Sequence, residues 1–241
     1  MSTIDWDGNS RQNIYDFIFE MAFRDATLRN AFVNPYKRKN KSEGKTDKKS
    51  EKQAEEDFEK LKNEIRNHIK ISVAKYLESI LDNEYSGEVL EQSKYKCMLD
   101  VLNDVKDFNT QIKKIDSEHK GFTFGNVQKL ANMSAKYLYI ACYANPEIRT
   151  RFDYCDCPMD SIMIKGIIKE AGNIEFEKLK DNTSWSGLSF EIGNCENVEE
   201  FQKLIPKEYV EFQEWIRNHR EESENMLDYD FRKWTEWSED Y

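Results

Sequence analysis

The 241-residue sequence predicts an essentially all-α fold, and three observations support this class. Apolar residues recur at spacings of three and four along most of the chain, which is the period of one helix face. No stretch alternates apolar and polar residues as a half-buried strand does. Only four prolines and nine glycines interrupt the pattern, and charged residues make up 34% of the chain. This composition is typical of a helical, soluble protein.

The domain organisation expected from the length is a single all-α domain over residues 1–241, or two helical subdomains with the cleft between them. No run of about 18 apolar residues predicts a membrane span. The N-terminus lacks the basic start and apolar core of a secretory signal. Five cysteines, an odd number, then favour free thiols in a reducing, cytoplasmic compartment.

The first half of the chain predicts three helices and one loop. Residues 10–33 carry an amphipathic helical pattern, which Asn34-Pro35 should end. Residues 36–53, YKRKNKSEGKTDKKSEKQ, contain no aliphatic residue and predict a flexible Lys-rich loop. Two long helices are expected to follow, over residues 54–83 and 88–115.

The Lys-rich loop has two interpretations. As an electrostatic arm it would contact nucleic-acid phosphate, and the candidate contacts are Lys37, Arg38, Lys39 and Lys41. As a solvated loop it would have no such role, and its acidic residues favour this alternative because they dilute the positive charge.

The central stretch, residues 122–172, is the least charged long segment and predicts helix, irregular connection, helix. The first helix is expected to begin after Gly125 or Asn126, which places Lys129 in its first turn, where the helix dipole disfavours a cation. The second is expected to run from Asp160, a natural N-cap, to Gly172. It is apolar almost all round, so we expect it to be buried.

This central stretch resembles the archaeal GO glycosylases, a family of helix-hairpin-helix DNA glycosylases. The resemblance rests on Gln128-Lys129 opening a helix, on Lys136 seven residues later, and on the Pro-x-Asp that ends at Asp160. Leu138 and Ala141 also fit the hydrophobic pattern between them. The similar part covers roughly fifty residues, and the chain lacks the family's Gly-rich hairpin of Leu-Pro-Gly-Val-Gly type.

The resemblance implies a helix-hairpin-helix glycosylase-like helical bundle with DNA N-glycosylase and AP-lyase activity. Lys129 would be the nucleophile that forms a Schiff base, and Asp160 would assist it. The substrate would be DNA carrying a damaged or modified purine such as 8-oxoguanine, and base excision repair the process. No metal or organic cofactor is implied. The residues expected to contact substrate are Gln128, Met133, Lys136 and Trp185.

The C-terminal third predicts a short helix over residues 174–179, a loop around Trp185, a helix over residues 198–220, and a last docked helix rich in aromatics. Trp185 could stack on a flipped base or cover the core, and the core role is the more common one. The three histidines show no ligand spacing. Cys155-x-Cys157 lacks the two-residue gap of a zinc knuckle, so we expect no metal site.

Net charge is the observation against a DNA-binding enzyme. The chain carries a formal charge of −10, which is unfavourable for approach to a polyanion. Two alternatives therefore stay open. One is a non-enzymatic, acidic helical protein that binds a protein partner, and the other is an N-glycosidase that acts on RNA or a nucleotide.

Overall fold

The computed structural model describes residues 8–27, 32, 36, 48–82, 84–117, 119, 121–172 and 195–239. All regular secondary structure in these ranges is helical, which confirms the all-α class. The helices are α1 (Gly8–Thr27), α2 (Lys48–Leu81), α3 (Gly87–Asp104), α4 (Lys106–Ile115), α5 (Phe124–Cys142), α6 (Pro146–Arg149), a 3-10 helix (Thr150–Tyr154), α7 (Ser161–Ala171), α8 (Val198–Leu204), α9 (Lys207–His219) and α10 (Met226–Ser238).

Two of the predicted long helices are divided. The helix expected over residues 88–115 bends at Val105, which ends α3 and begins α4. Backbone hydrogen bonds continue through the bend, from Val105 N to Val101 O and from Asn109 N to Val105 O. The helix expected over residues 198–220 is interrupted before Pro206, because proline has no N–H to continue the hydrogen-bond ladder.

Two further boundaries differ from the sequence prediction. Helix α1 ends at Thr27 rather than near residue 33. Helix α2 begins at Lys48, so the prediction of a loop throughout residues 36–53 is wrong for residues 48–53. This polar first turn and a half lacks aliphatic residues, but Lys, Glu and Gln are good helix formers, and the apolar face that follows continues the same helix. Residues 37–47, with Lys37, Arg38, Lys39 and Lys41, lie outside the described ranges.

The core lies among α1, α2, α3 and α5. Helix α1 packs on α5 and α2, and α3 packs on α2 and α5. Aromatic rings fill one end of this core, where Phe32 stacks on Phe108 with centroids 4.4 Å apart and meets Phe122 edge-on at 6.0 Å. Such ring pairs add to the stabilisation from burial alone. Helix α5, which is part of this core, carries most of the predicted site.

The turn before α5 is fixed by a side-chain amide. Phe122 N–H donates to Asn109 Oδ1 at 2.7 Å, and Asn109 Nδ2 donates to Phe122 O at 2.8 Å. We call such a pairing, in which one amide side chain satisfies both main-chain groups of a single residue, an amide clamp. Gly121 beside it has φ 69°, and a Cβ there would lie 2.2 Å from Asn109 Oδ1, so glycine is required.

One face of helix α7 packs against α10, but Lys165 and Lys169 are exposed, so the prediction that the helix is buried holds for that face alone. Gly166 faces the ring of Trp237 at the crossing, and a Cβ on Gly166 would come within 2.1 Å of that ring. Helix α7 ends at Gly172, whose φ of 59° is left-handed, as predicted for a C-terminal glycine. Within the described ranges, no helix combines the length and apolar character that a membrane crossing requires.

Candidate active site

Helix α5 begins earlier than the sequence predicted. Thr123 is its N-cap, and Asn126 Oδ1 accepts hydrogen bonds from Thr123 N at 2.9 Å and Thr123 Oγ1 at 2.8 Å. Asn126 Nδ2 also donates to Ala26 O of α1 at 2.6 Å, which ties the start of α5 to the end of α1. Lys129 therefore lies in the second turn, and the prediction that it lies in the first is wrong. The dipole effect expected there weakens accordingly, because it fades beyond the first turn.

Gln128 fastens α5 to the residue before Asp160. Met159 N–H donates to Gln128 Oε1 at 3.1 Å, and Gln128 Nε2 donates to Met159 O at 2.8 Å. This second amide clamp joins the neighbour of Lys129 to the neighbour of Asp160, although the two motifs are far apart in sequence. Lys129 is half-buried, and its side chain forms no ion pair or hydrogen bond within the described part of the chain.

Asp160 caps α7 as the sequence predicted. Its Oδ1 accepts hydrogen bonds from Ile162 N at 2.9 Å and Met163 N at 3.0 Å. Its other oxygen, Oδ2, takes no part in capping and accepts a hydrogen bond from Trp234 Nε1 of α10 at 3.3 Å. The carboxylate is half-buried, so one oxygen is committed to structure and the other faces the aromatic surface of α10.

Lys136 lies beside this surface, with an acidic partner that the sequence analysis missed. Its Nζ forms an ion pair with Asp230 Oδ2, and both side chains are largely buried. The ammonium also lies 4.5 Å from the Phe231 ring centroid and 6.0 Å from that of Trp234. Contacts of this kind stabilise a cation over an aromatic face.

Asp230 has an unusual electrostatic setting. Burial raises its pKa from 3.8 to about 6, Lys136 opposes the rise, and the nearby charge of Asp160 adds to it. Its Oδ1 has no hydrogen-bond partner among the described residues. Asp230 and Trp234 stand one helical turn apart, and this i, i+4 spacing in an acidic aromatic tail was the only sequence signal that could have pointed to them.

A second buried charge cluster lies behind the connection to Asp160. Asp156, 1% exposed, has Lys94 Nζ 2.7 Å from Oδ2 and Arg217 Nη2 2.7 Å from Oδ1. Tyr209 OH donates to Asp156 Oδ2 at 2.9 Å. Burial raises the pKa of Asp156, but the two cations outweigh it and hold that pKa below its usual value. The sequence analysis missed this cluster, because Lys94 looks like any other lysine of a charged helix.

The cysteines are not suited to act as nucleophiles in this structure. All five cysteines are buried and none forms a disulfide, as expected. Burial raises the pKa of the Cys155 thiol to about 12 and raises the pKa of the Cys157 thiol well above its usual value, so neither is poised as a thiolate nucleophile. The described ranges hold no group of three side chains arranged to bind a metal ion.

Among the predicted site residues, the structure fixes Gln128 against Met159, and within the described ranges no hydrogen bond or ion pair joins Lys129 to Asp160. Gln128 holds the residues next to Lys129 and Asp160 in contact, and Lys136 lies near Asp160 by way of Trp234 and Asp230. Met133 is half-buried and packs against the core. Trp185 and residues 173–194 lie outside the described ranges. Comparisons with protein-family models, with curated proteins and with solved structures found no match.

Proposed function

We propose that this chain is a DNA N-glycosylase with AP-lyase activity, which excises a damaged or modified purine such as 8-oxoguanine through a lysine Schiff base. The observation that carries the proposal is the Gln128–Met159 amide clamp. It supports a site that uses the amine of Lys129 and the carboxylate of Asp160, because each of these residues directly follows one partner of the clamp in sequence. That is the pair that the resemblance to the archaeal GO glycosylases requires.

The chemistry needs each group in a defined state. Lys129, as the neutral amine, attacks C1′ of the extruded nucleotide, the glycosidic bond breaks, and the base leaves with the bonding electrons. Asp160 stabilises the cationic sugar and accepts the proton that the attacking nitrogen loses. The C1′–O4′ bond then breaks, O4′ takes up the proton held by Asp160, and the open sugar is left with an iminium at C1′. This iminium permits β-elimination, which nicks the strand. The oxygen of Asp160 outside the cap, Oδ2, is the one available for this role.

The surface of α10 supports a base-binding role next to that pair. Trp234 is 40% exposed, so its ring offers a stacking face for an extruded base. Lys136 lies behind this surface, 6.0 Å from the Trp234 ring centroid, where its buried ion pair with Asp230 helps to hold the aromatic residues of α10 in place. Trp234 would take part of the role that the sequence prediction assigned to Trp185.

The charge of −10 favours the second candidate, an acidic helical protein that binds a protein partner. An N-glycosidase that acts on RNA or a nucleotide is a third, since it would use the same amine and carboxylate. One assay separates the three by substrate. An adduct with damaged DNA indicates the glycosylase with lyase activity, an adduct or base release only with RNA or a nucleotide indicates the N-glycosidase, and neither indicates the binding protein.

The experiment is borohydride trapping on duplex and single-stranded DNA carrying 8-oxoguanine, with RNA and damaged-base panels alongside. We expect a trapped adduct for the wild type and none for Lys129→Gln, with exposed Lys203→Gln as the matched control. Asp160→Asn should slow base release by about 10²–10³-fold while DNA affinity changes little, because it removes a transition-state charge. Asparagine retains the cap, so stability should change by only a few tenths of a kcal/mol.

A wild type that yields neither adduct nor base release on any substrate would reject the enzyme and favour the acidic binding protein. Trapping that persists in Lys129→Gln would reject Lys129 as the nucleophile.

A further inference from the structure

The segment that leads to Asp160 is buried yet has no regular secondary structure. We call Cys155–Asp160 the strap. Its residues from Cys155 to Met159 are nearly inaccessible to solvent, and none belongs to a helix. Buried main-chain N–H and C=O groups need partners. Backbone hydrogen bonds serve the two ends of the strap, from Cys155 N to Phe152 O and from Ile164 N to Asp160 O, and side chains supply partners between them.

Two glutamines supply most of them. Cys157 N–H donates to Gln213 Oε1 at 2.9 Å, and Gln213 Nε2 donates to Cys157 O at 2.9 Å. Gln128 does the same for Met159. The strap is therefore held by amide clamps at alternate residues, from α9 on one side and α5 on the other, much as a neighbouring strand would hold it.

Further contacts join the two clamps into one network. Asn132 Nδ2 lies within hydrogen-bond distance of Cys157 O at 3.2 Å, of Gln128 Oε1 at 3.3 Å and of Tyr209 OH at 2.8 Å. Tyr209 OH in turn donates to Asp156. The side chain of the first clamped residue is fixed too, because Cys157 Sγ donates to Met226 O at 2.9 Å.

We propose that Gln213 and Gln128 are positioning residues, which hold the strap so that Asp160 both caps α7 and directs Oδ2 toward the reacting sugar. The proposal rests on the proposed glycosylase function for the role of Asp160. It assigns Gln128 a structural contact instead of a substrate contact, since both polar atoms of its side chain are already engaged with Met159. Gln213 lies 53 positions after Asp160 and has no role in the sequence analysis.

The first test needs no activity. Gln213→Met, which keeps the volume and removes both hydrogen bonds, is compared with Gln53→Met, whose glutamine is exposed and hydrogen-bonds to Asp57 on the same helix. We expect hydrogen exchange at Cys157, Ile162 and Met163 to accelerate by about tenfold in Gln213→Met, because a lost buried hydrogen bond opens the strap locally. Amides of α1 should be unaffected in both variants. Unchanged exchange at these three amides, or a uniform rise throughout the protein, overturns the proposal.

The second test uses single-turnover base release. Gln213→Met should reduce the rate by about tenfold with DNA affinity within about twofold, because positioning acts on the transition state. In an Asp160→Asn background the same change should have almost no further effect, since Gln213 acts through Asp160. Gln213→Glu, which keeps the acceptor for Cys157 N–H, should lie between wild type and Gln213→Met if the variant's fold is retained.

The outcomes distinguish the two proposals. If Gln213→Met reduces the rate equally in the wild-type and Asp160→Asn backgrounds, the positioning role is overturned and the proposed enzyme activity is still supported. An inactive wild type overturns the proposed function, while hydrogen exchange still decides whether the glutamines hold the strap.

Discussion

Asp156→Asn should be the most destabilising conservative substitution in the buried charge cluster. Lys94 is 0% exposed and Asp156 is 1% exposed, and the ammonium lies 2.7 Å from Oδ2 as an ion pair. The neutral amide of the variant cannot offset the charge of Lys94, so a buried cation loses its counter-ion. Breaking a buried pair in this way costs about 3–5 kcal/mol. That is a large fraction of the roughly 5–15 kcal/mol total of a typical protein.

Removing the lysine of the same pair should destabilise the protein much less than removing the carboxylate. In Lys94→Met, Asp156 keeps Arg217 and Tyr209 as partners, so no charge is left unpaired. A methionine of similar volume also packs well in an apolar site, and we expect a cost of about 1 kcal/mol or less. The double variant should be more stable than Asp156→Asn alone, because it removes the unpaired cation.

The assay is urea unfolding of the wild type, both single variants and the double variant, followed by circular dichroism of the helices at pH 7 and at a series of lower pH values. The pKa of Asp156 is below its usual 3.8 in the folded protein. Its contribution is therefore present above about pH 4 and is lost as pH falls through the lower, folded value. The difference in the free energy of unfolding between the wild type and Asp156→Asn should therefore decrease as pH falls through that range. If Asp156→Asn costs under about 1 kcal/mol while Lys94→Met costs more, the assignment of the buried charge is wrong.

Three other results are expected. Gly166→Ala should lower the free energy of unfolding by about 1–3 kcal/mol, because its Cβ would come within 2.1 Å of the Trp237 ring. Gly8→Ala, in open space, should leave the melting temperature unchanged, and equal effects of the two substitutions would contradict the close contact between Gly166 and Trp237. The pKa of Asp230 is about 6 in the folded protein, so its ionisation should lower the stability of the wild type as pH rises from about 4 to about 6. Asp230→Asn should remove this fall in stability, and a fall that persists in the variant points to another group. Deleting residues 39–47, before α2, should leave the fold intact and reduce both the affinity for DNA and the salt dependence of that affinity. Unchanged binding would exclude a role for these residues in contacting DNA.

Local patterns in the sequence were sufficient for the helices and the cap at Asp160, but not for the strap. Helix periodicity is a local property, so α1, α2 and α5 could be predicted within several residues. Lys94, Asp156 and Gln213 acquire their roles only through contacts between residues 53 to 62 positions apart. A single sequence carries no signal for such pairs, and the chemistry of a buried lysine differs from that of an exposed one only after folding.

The amide clamps carry no formal charge, and this matters for ionic strength. Salt screens exposed charges and displaces a protein from DNA phosphates, so under the proposed function the affinity for DNA should fall steeply as salt is added. A neutral hydrogen bond inside the protein is not screened in this way. The strap held by Gln128 and Gln213 should therefore keep its geometry in concentrated salt, and base release at saturating DNA should proceed at nearly the same rate while ever more enzyme is needed to reach saturation.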